Sequence, residues 1–139
     1  MRDAPSWLVT QTAMHAGRLV SGGFAAVGAR GYHYRLLAAL EEFGPASQAT
    51  LGRRGGIDRS DVVAAVNELA DRGLVERARD PEDRRRNVVT ITPAGARLLR
   101  RLDAVLAGIQ DELLAPLSTD ERGELTRLLG RVFDHHRRG

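Results

Sequence analysis

The sequence predicts a mostly α fold with one small β-hairpin, and three observations predict it. Apolar residues recur at helical spacing through most of the chain, as in Leu36, Leu37, Leu40 and Phe43, or Leu98, Leu102, Val105, Ile109 and Leu113. The stretch 74–91 alone changes to short β-branched runs, which flank the turn-forming Asp80-Pro81-Glu82-Asp83-Arg84. Just before it come a short helical segment, a glycine turn and a longer helical segment, the order of a helix-turn-helix.

Each element has its own justification. Residues 5–27 read as a helix, with Trp7, Leu8, Met14, Leu19, Val20, Phe24 and Val27 spread over several turns. Gly17, Gly22 and Gly23 each cost roughly 1 kcal/mol against alanine, so this helix needs tertiary or partner packing. A second helix covers 33–43 and stops at Gly44-Pro45. A short one covers 47–53, with Ser47 as N-cap and Leu51 as its core anchor, and Arg54-Gly55-Gly56 turns the chain. The next helix, 59–72, takes Asp58 as N-cap and has Asp61 near the positive end of its dipole. Val62, Val66 and Leu69 make its buried stripe, and Gly73 follows its last turn. Strands at 74–79 and 87–91 form the hairpin. Thr92-Pro93 starts a long helix, 93–114, as N-cap and first helical residue. Pro116 breaks it. Ser118-Thr119-Asp120-Glu121 is a capping box for a last helix that carries Leu125, Leu128, Leu129, Val132 and Phe133. His135 and His136 are adjacent, so on a helix they diverge by about 100° and do not form a metal site by themselves.

Composition narrows the function. A chain of 139 residues suits one domain, and 42% hydrophobic with 28% charged residues is ordinary for a globular protein. No apolar run approaches the ~18 residues that span a bilayer, and MRDAPSW lacks the apolar core of a signal peptide, so a cytoplasmic location and no membrane contact are expected. The absence of cysteine removes disulfides, thiolate metal sites and thiol redox sensing. All 21 basic residues are arginine, and their position matters more than their number. Between Arg77 and Arg101 there are eight arginines against three acids, whereas the whole chain has a net charge of only +3. The rest of the chain is therefore slightly negative, and the positive charge gathers in and just after the hairpin. That is the electrostatic footprint of a phosphate-binding surface. A helix followed by a basic hairpin suits duplex DNA: the helix enters the major groove and the hairpin tip reaches an adjacent minor groove.

At the hairpin the chain resembles the MarR family of bacterial transcription regulators. The family's wing pattern is Asp-x-Arg, about five residues, then hydrophobic-Thr-x-x-Gly. Here it stands as Asp83-Arg84-Arg85-Arg86-Asn87-Val88-Val89-Thr90-Ile91-Thr92-Pro93-Ala94-Gly95. Leu69-Ala70-Asp71-Arg72-Gly73-Leu74-Val75-Glu76-Arg77 looks like the family's exit from the recognition helix. The resemblance is strong over 57–95, and beyond it rests on element order and length. It implies a single MarR-like domain over 1–139: a winged helix-turn-helix DNA-binding lobe at 33–92, and a helical dimerisation lobe from 5–27 and 93–138. The apolar stripes of those outer helices agree, being wider than a monomer of this size can bury.

The resemblance also implies a set of DNA contacts. Asp83 and Arg85 match the wing pair in which the acid orients an arginine for the minor groove, and Arg84 and Arg86 flank it. A narrow minor groove concentrates negative potential and suits a guanidinium. On and near the recognition helix the candidates are Ser47, Arg59, Ser60, Asp61, Val63, Ala64 and Asn67. Arg59 suits a bidentate contact with guanine, and Asn67 one with adenine. Val63 and Ala64 depart from the family, which often has threonine and a basic residue there, and apolar contact with thymine methyls takes their place. The implied partners are duplex DNA carrying two half-sites about 10 bp apart, a second copy of the chain, and a small aromatic or phenolic ligand between the lobes. Trp7, His15, Arg18 and His33 are the candidate ligand-binding residues. The expected function is a homodimeric repressor of a pseudo-palindromic operator, released by that ligand and acting by occlusion. A DNA-binding regulator without a ligand, and a winged helix used for protein association, are the alternatives. No phosphate-binding glycine loop, matched nucleophile and base, or metal-ligand spacing is present, so neither catalytic residues, cofactor nor metal are expected.

Overall fold

The computed structural model describes residues 1–137 and is mostly helical with one antiparallel hairpin. The order is α1 (Pro5–Ala25), α2 (Gly31–Phe43), α3 (Gln48–Gly55), α4 (Arg59–Asp71), β1 (Val75–Arg79), β2 (Asn87–Ile91), α5 (Pro93–Leu113) and α6 (Thr119–Arg137). Arg138, the expected end of the last helical segment, lies outside the described residues.

Of the apolar face foreseen on α2, Leu36, Leu37 and Leu40 are buried at the centre, whereas Phe43 is exposed, with the Arg54 guanidinium over its ring. Leu51 of α3, Val62, Val66 and Leu69 of α4, and Val75 and Val89 of the hairpin close on it from one side. Phe24 of α1 and Leu98, Leu99 and Leu102 of α5 close on it from the other. The helix-turn-helix therefore shares one core with the base of the long helices. Tyr34 adds a polar tie, its hydroxyl donating to Asp103 of α5 at 2.9 Å. Burial, together with that carboxylate, raises the hydroxyl's pKa and keeps it a donor.

In the hairpin Val75 pairs with Ile91 at the base and Arg79 with Asn87 near the tip. A single further bridge joins Ala46 to Val89, each N–H donating to the other's carbonyl at 3.1 and 2.8 Å. One bridged residue has no alternation to betray it, so the sequence offered no sign of it. Thr92 locks the base of the hairpin. Its hydroxyl accepts from Gly95 N–H at 3.1 Å, as an N-cap should, and donates to Gly73 O at 2.7 Å.

The other caps mostly follow expectation. Ser47 Oγ accepts from Thr50 N–H, and Ser118 and Glu121 exchange the two bonds of a capping box. Asp58 does not. It occupies the N-cap position of α4 with extended backbone, but its carboxylate makes no capping hydrogen bond. It favours the helix end through its charge alone. The first helix ends at Ala25 rather than 27, because Gly28 takes a left-handed φ of 72° and redirects the chain. That redirection also lets α2 begin at Gly31, before the expected 33.

Gly23 explains part of α1's weak helical composition. A Cβ there would lie 2.8 Å from Ile109 Cδ1 and 3.0 Å from Val105 Cγ1, so the glycine lets α1 lie close along α5. The terminal helix is different. None of α6 is buried, and Leu128, Leu129, Val132 and Phe133 are exposed, Phe133 by 64%. Leu8, Val9 and Met14 of α1 are exposed too.

Candidate nucleic-acid interface

The exposed face of α4 is set by its buried one. With Val62, Ala65, Val66 and Leu69 turned into the core, helical periodicity turns Arg59, Ser60, Val63, Ala64 and Asn67 outward, and leaves Asp61 half-buried. Gly56, in left-handed conformation at φ 62°, makes the turn between α3 and α4. A depression of about 560 Å³ opens there, with Gln48 and Arg53 on one wall and Arg59 on the other. Arg53 was not foreseen as part of the surface. It lies in the last turn of α3 and donates to Thr50 Oγ1 at 3.1 Å. Ser47 is half-buried, and its hydroxyl is engaged with Thr50.

The hairpin tip is ordered by its acids. Asp80 N–H donates to Arg86 O at 2.9 Å and Arg86 N–H to Asp83 O at 3.0 Å, which closes the loop. Asp83 Oδ1 accepts from both the backbone N–H of Arg85, at 3.1 Å, and its Nε, at 3.3 Å. Arg85 is thus aimed by the acid two residues before it, while its side chain remains 92% exposed. Asp80 plays the same part for Arg86. One of its oxygens caps Glu82 N–H at 2.9 Å and the other faces Arg86 Nε at 3.7 Å. The charge pattern placed Asp80 in the loop but did not reveal that role. The exposed Asp83–Arg85 pair is worth at most about 1 kcal/mol, so its effect is on direction rather than stability. Arg84 points into solvent.

Helix and hairpin meet directly. Arg77 of β1 donates through Nη2 to Oδ1 of Asn67 on α4 at 2.5 Å. The strand that carries the arginine-rich tip is therefore joined to the exposed face of α4. Asn67 Oδ1 keeps a second lone pair, so this tie leaves the expected bidentate contact with adenine open.

Of the four expected ligand residues, three lie on α1 and one on α2. Trp7 is half-buried near the start of α1, while His15 and Arg18 lie on the exposed part of that helix, joined at 2.6 Å. His33 lies at the start of α2. It is only 3% exposed, its Nε2 lies 2.7 Å from Glu68 Oε2, and its Nδ1 accepts from Arg30 N–H at 3.2 Å. Both ring nitrogens are engaged, so His33 holds the start of α2 to α4, and it lines a depression of about 460 Å³ together with Arg30, Glu68 and Arg72. Arg30 reaches the other oxygen of Glu68 at 3.6 Å, and Arg72 donates to Gly28 O at 2.7 Å. The sequence could not show this, since His33 and Glu68 are far apart along the chain.

An α3–α4 pair with an adjoining arginine-tipped hairpin defines a winged helix-turn-helix protein. The model of the MarR family matches residues 28–86. A transcriptional regulatory protein for the hcr operon of Thauera aromatica is 35% identical over 100 residues, which is 72% of this chain and 60% of that protein. The transcriptional repressor NicR of Pseudomonas putida is 34% identical over 98 residues, 70% of this chain and 62% of its own length. The chain thus spans about three fifths of the length of these two relatives. Among solved structures, the PcaV transcriptional regulator of Streptomyces coelicolor, in complex with its natural ligand, superposes with a TM-score of 0.80 at 32% identity, over 96% of this chain and 94% of that one. The chain belongs to the MarR family.

Proposed function

We infer that the protein is a sequence-specific, DNA-binding transcriptional repressor, working in the cytoplasm as a homodimer on a pseudo-palindromic operator. The single observation that carries this is the joined surface of α4 and wing, in which Asp83 aims an exposed Arg85 while Arg77 ties the wing strand to α4. The segment 33–92 is the DNA-binding lobe, and 5–27 with 93–138 the dimerisation lobe, whose exposed apolar residues on α1 and α6 are covered by a second copy. Arg85, flanked by Arg84 and Arg86, enters the minor groove, and Arg59, Ser60, Val63, Ala64 and Asn67 face the major groove. NicR is named as a repressor, and PcaV was solved with a ligand. Both support a repressor released by a small molecule, and the family resemblance favours an aromatic or phenolic one. The His15–Arg18 pair suits its acidic group, and Trp7 its ring. Such a ligand acts only by favouring a DNA-incompetent arrangement of the two lobes. The relatives, being regulators, support a non-enzymatic role.

The test is genome-wide selection of DNA fragments by the purified protein at moderate salt, with Arg85→Ala in parallel. Enrichment of a pseudo-palindrome upstream of a few genes, weakened by roughly 1–3 kcal/mol in the variant, is the expected result. Recovery of random fragments, or an unaffected variant, overturns this reading. The fragments recovered also locate the operator relative to the promoter, which separates repression from activation.

A further inference from the structure

We propose that the depression between α3 and α4 seats a phosphate of the operator backbone, and that Arg53 is the side chain that binds it. This rests on the DNA-reading role assigned above to α4, and it adds a residue of α3 to the contact surface.

In a helix-turn-helix the second helix enters the major groove while the first crosses the sugar-phosphate backbone. With α4 in the groove, α3 is the element that passes a phosphate. The depression lies between the two, with Gln48 and Arg53 on the α3 wall and Arg59, the first residue of α4, on the other. Gly52 and Gly56 also line it, and neither has a side chain to fill it. A Cβ at Gly52 would lie 3.1 Å from Ile57 O and 3.2 Å from Val62 Cγ2, so this glycine lets the two walls approach.

Arg53 is held in place by its own helix. Ser47 Oγ donates to Thr50 Oγ1 at 3.1 Å, and Arg53 Nη2 donates to the same oxygen at 3.1 Å. That contact uses one of the five N–H donors of the guanidinium and leaves the others for a ligand. Arg53 is exposed, and none of the ion pairs among the described residues involves it. Asp58 also lines the depression, and it pairs with neither Arg53 nor Arg59. One carboxylate against two guanidiniums leaves the depression with net positive charge. Arg54, the next residue, is placed differently: it does not line the depression, and its guanidinium lies over the Phe43 ring, 4.6 Å from the centroid. A phosphate suits Arg53 because a guanidinium meets two of its oxygens with parallel, charge-assisted hydrogen bonds.

The test uses the full chain and the operator that it selects. The phosphates of one half-site are replaced one at a time by uncharged methylphosphonate, and affinities are measured for the native protein, Arg53→Gln, Arg53→Lys and Arg54→Gln. The expected result is one phosphate whose neutralisation weakens the native protein and Arg54→Gln by roughly tenfold and leaves Arg53→Gln unaffected. In Arg53→Gln the slope of log affinity against log salt falls by about 0.9 for each half-site bound, with base preferences unchanged. Arg53→Lys keeps the charge and keeps the slope. Because Arg53 is exposed, the glutamine variant keeps the fold, which circular dichroism checks. Native slope and native sensitivity to every phosphate in Arg53→Gln overturn the proposal. So does a changed base preference in that variant, which marks a base reader, or an equal loss in Arg54→Gln, which marks a general effect of charge. If the proposal fails in any of these ways while Arg85→Ala still weakens operator binding, the regulator reading stands without it. A native protein that selects no operator removes both.

Discussion

Gly95 lies in the first turn of α5 with no positive φ, so its need for glycine is a matter of space. A Cβ there would lie 2.1 Å from the carbonyl oxygen of Leu74 and 2.9 Å from Ile91 Cγ1. The nearer atom is backbone, and it already accepts from Thr92 N–H at 3.1 Å, so it has little freedom to retreat. This gives a physical reason for the glycine that closes the wing motif: α5 can start only where it presses against the base of the hairpin. Gly95→Ala is expected to lower stability by about 2–3 kcal/mol, in the range of overpacked sites, and urea unfolding checks it. An unchanged midpoint would show that the hairpin base can shift at no cost. At this scale the sequence was legible where partners are near. Ser47, Thr92 and the Ser118–Glu121 box cap as their spacing requires, and Asp83 holds Arg85 across two residues. It was not legible where the partner is distant, as for His33 with Glu68 and Asn67 with Arg77, because periodicity orients a side chain without naming what meets it.

At the scale of elements, two apolar stripes that look alike in sequence have different fates. Leu102 of α5 is fully buried within the monomer, whereas Leu128, Leu129, Val132 and Phe133 of α6 are exposed. α6 is fixed mainly at its start, where Arg122 donates to Leu114 O and Leu117 O and pairs with Asp111 at 2.9 Å. In the proposed dimer a second copy covers the rest of its apolar stripe. The two stripes should therefore respond differently to charge. Leu102→Glu is expected to cost at least about 3 kcal/mol, more than a large-to-small change there, and to unfold much of the protein. Phe133→Glu should leave the helical circular-dichroism spectrum of a folded chain while converting dimer to monomer in sedimentation equilibrium. A dimer that survives Phe133→Glu places the partner surface elsewhere. Helix identity was thus legible from spacing throughout, and helix ends were legible to within a few residues. The bridge between Ala46 and Val89 and the close approach at Gly23 were not, because each depends on an element distant in sequence.

At the scale of the whole molecule, the proposed dimer converts two weak contacts into one strong one. Each half presents one α4 face with few polar readers, so a single half-site binds poorly. Two half-sites bind well only if their spacing on the duplex matches the distance between the two lobes. That distance corresponds to about one turn of B-DNA, roughly 10 bp, for two sites on one face. Inserting half a turn between the half-sites turns the second one to the opposite face without altering any base that the protein reads. Affinity should then fall to that of a lone half-site, and the salt dependence should fall with it. The slope of log affinity against log salt is about 0.9 per phosphate neutralised, so losing one wing and one helix removes their share of it. Fluorescence anisotropy over a range of salt concentrations measures both quantities. A large loss of affinity at unchanged slope would mean that both halves still contact phosphates and only the reading of bases has failed. Unchanged affinity would mean that the lobes move independently, and a ligand wedged between them would then have no fixed spacing to disturb.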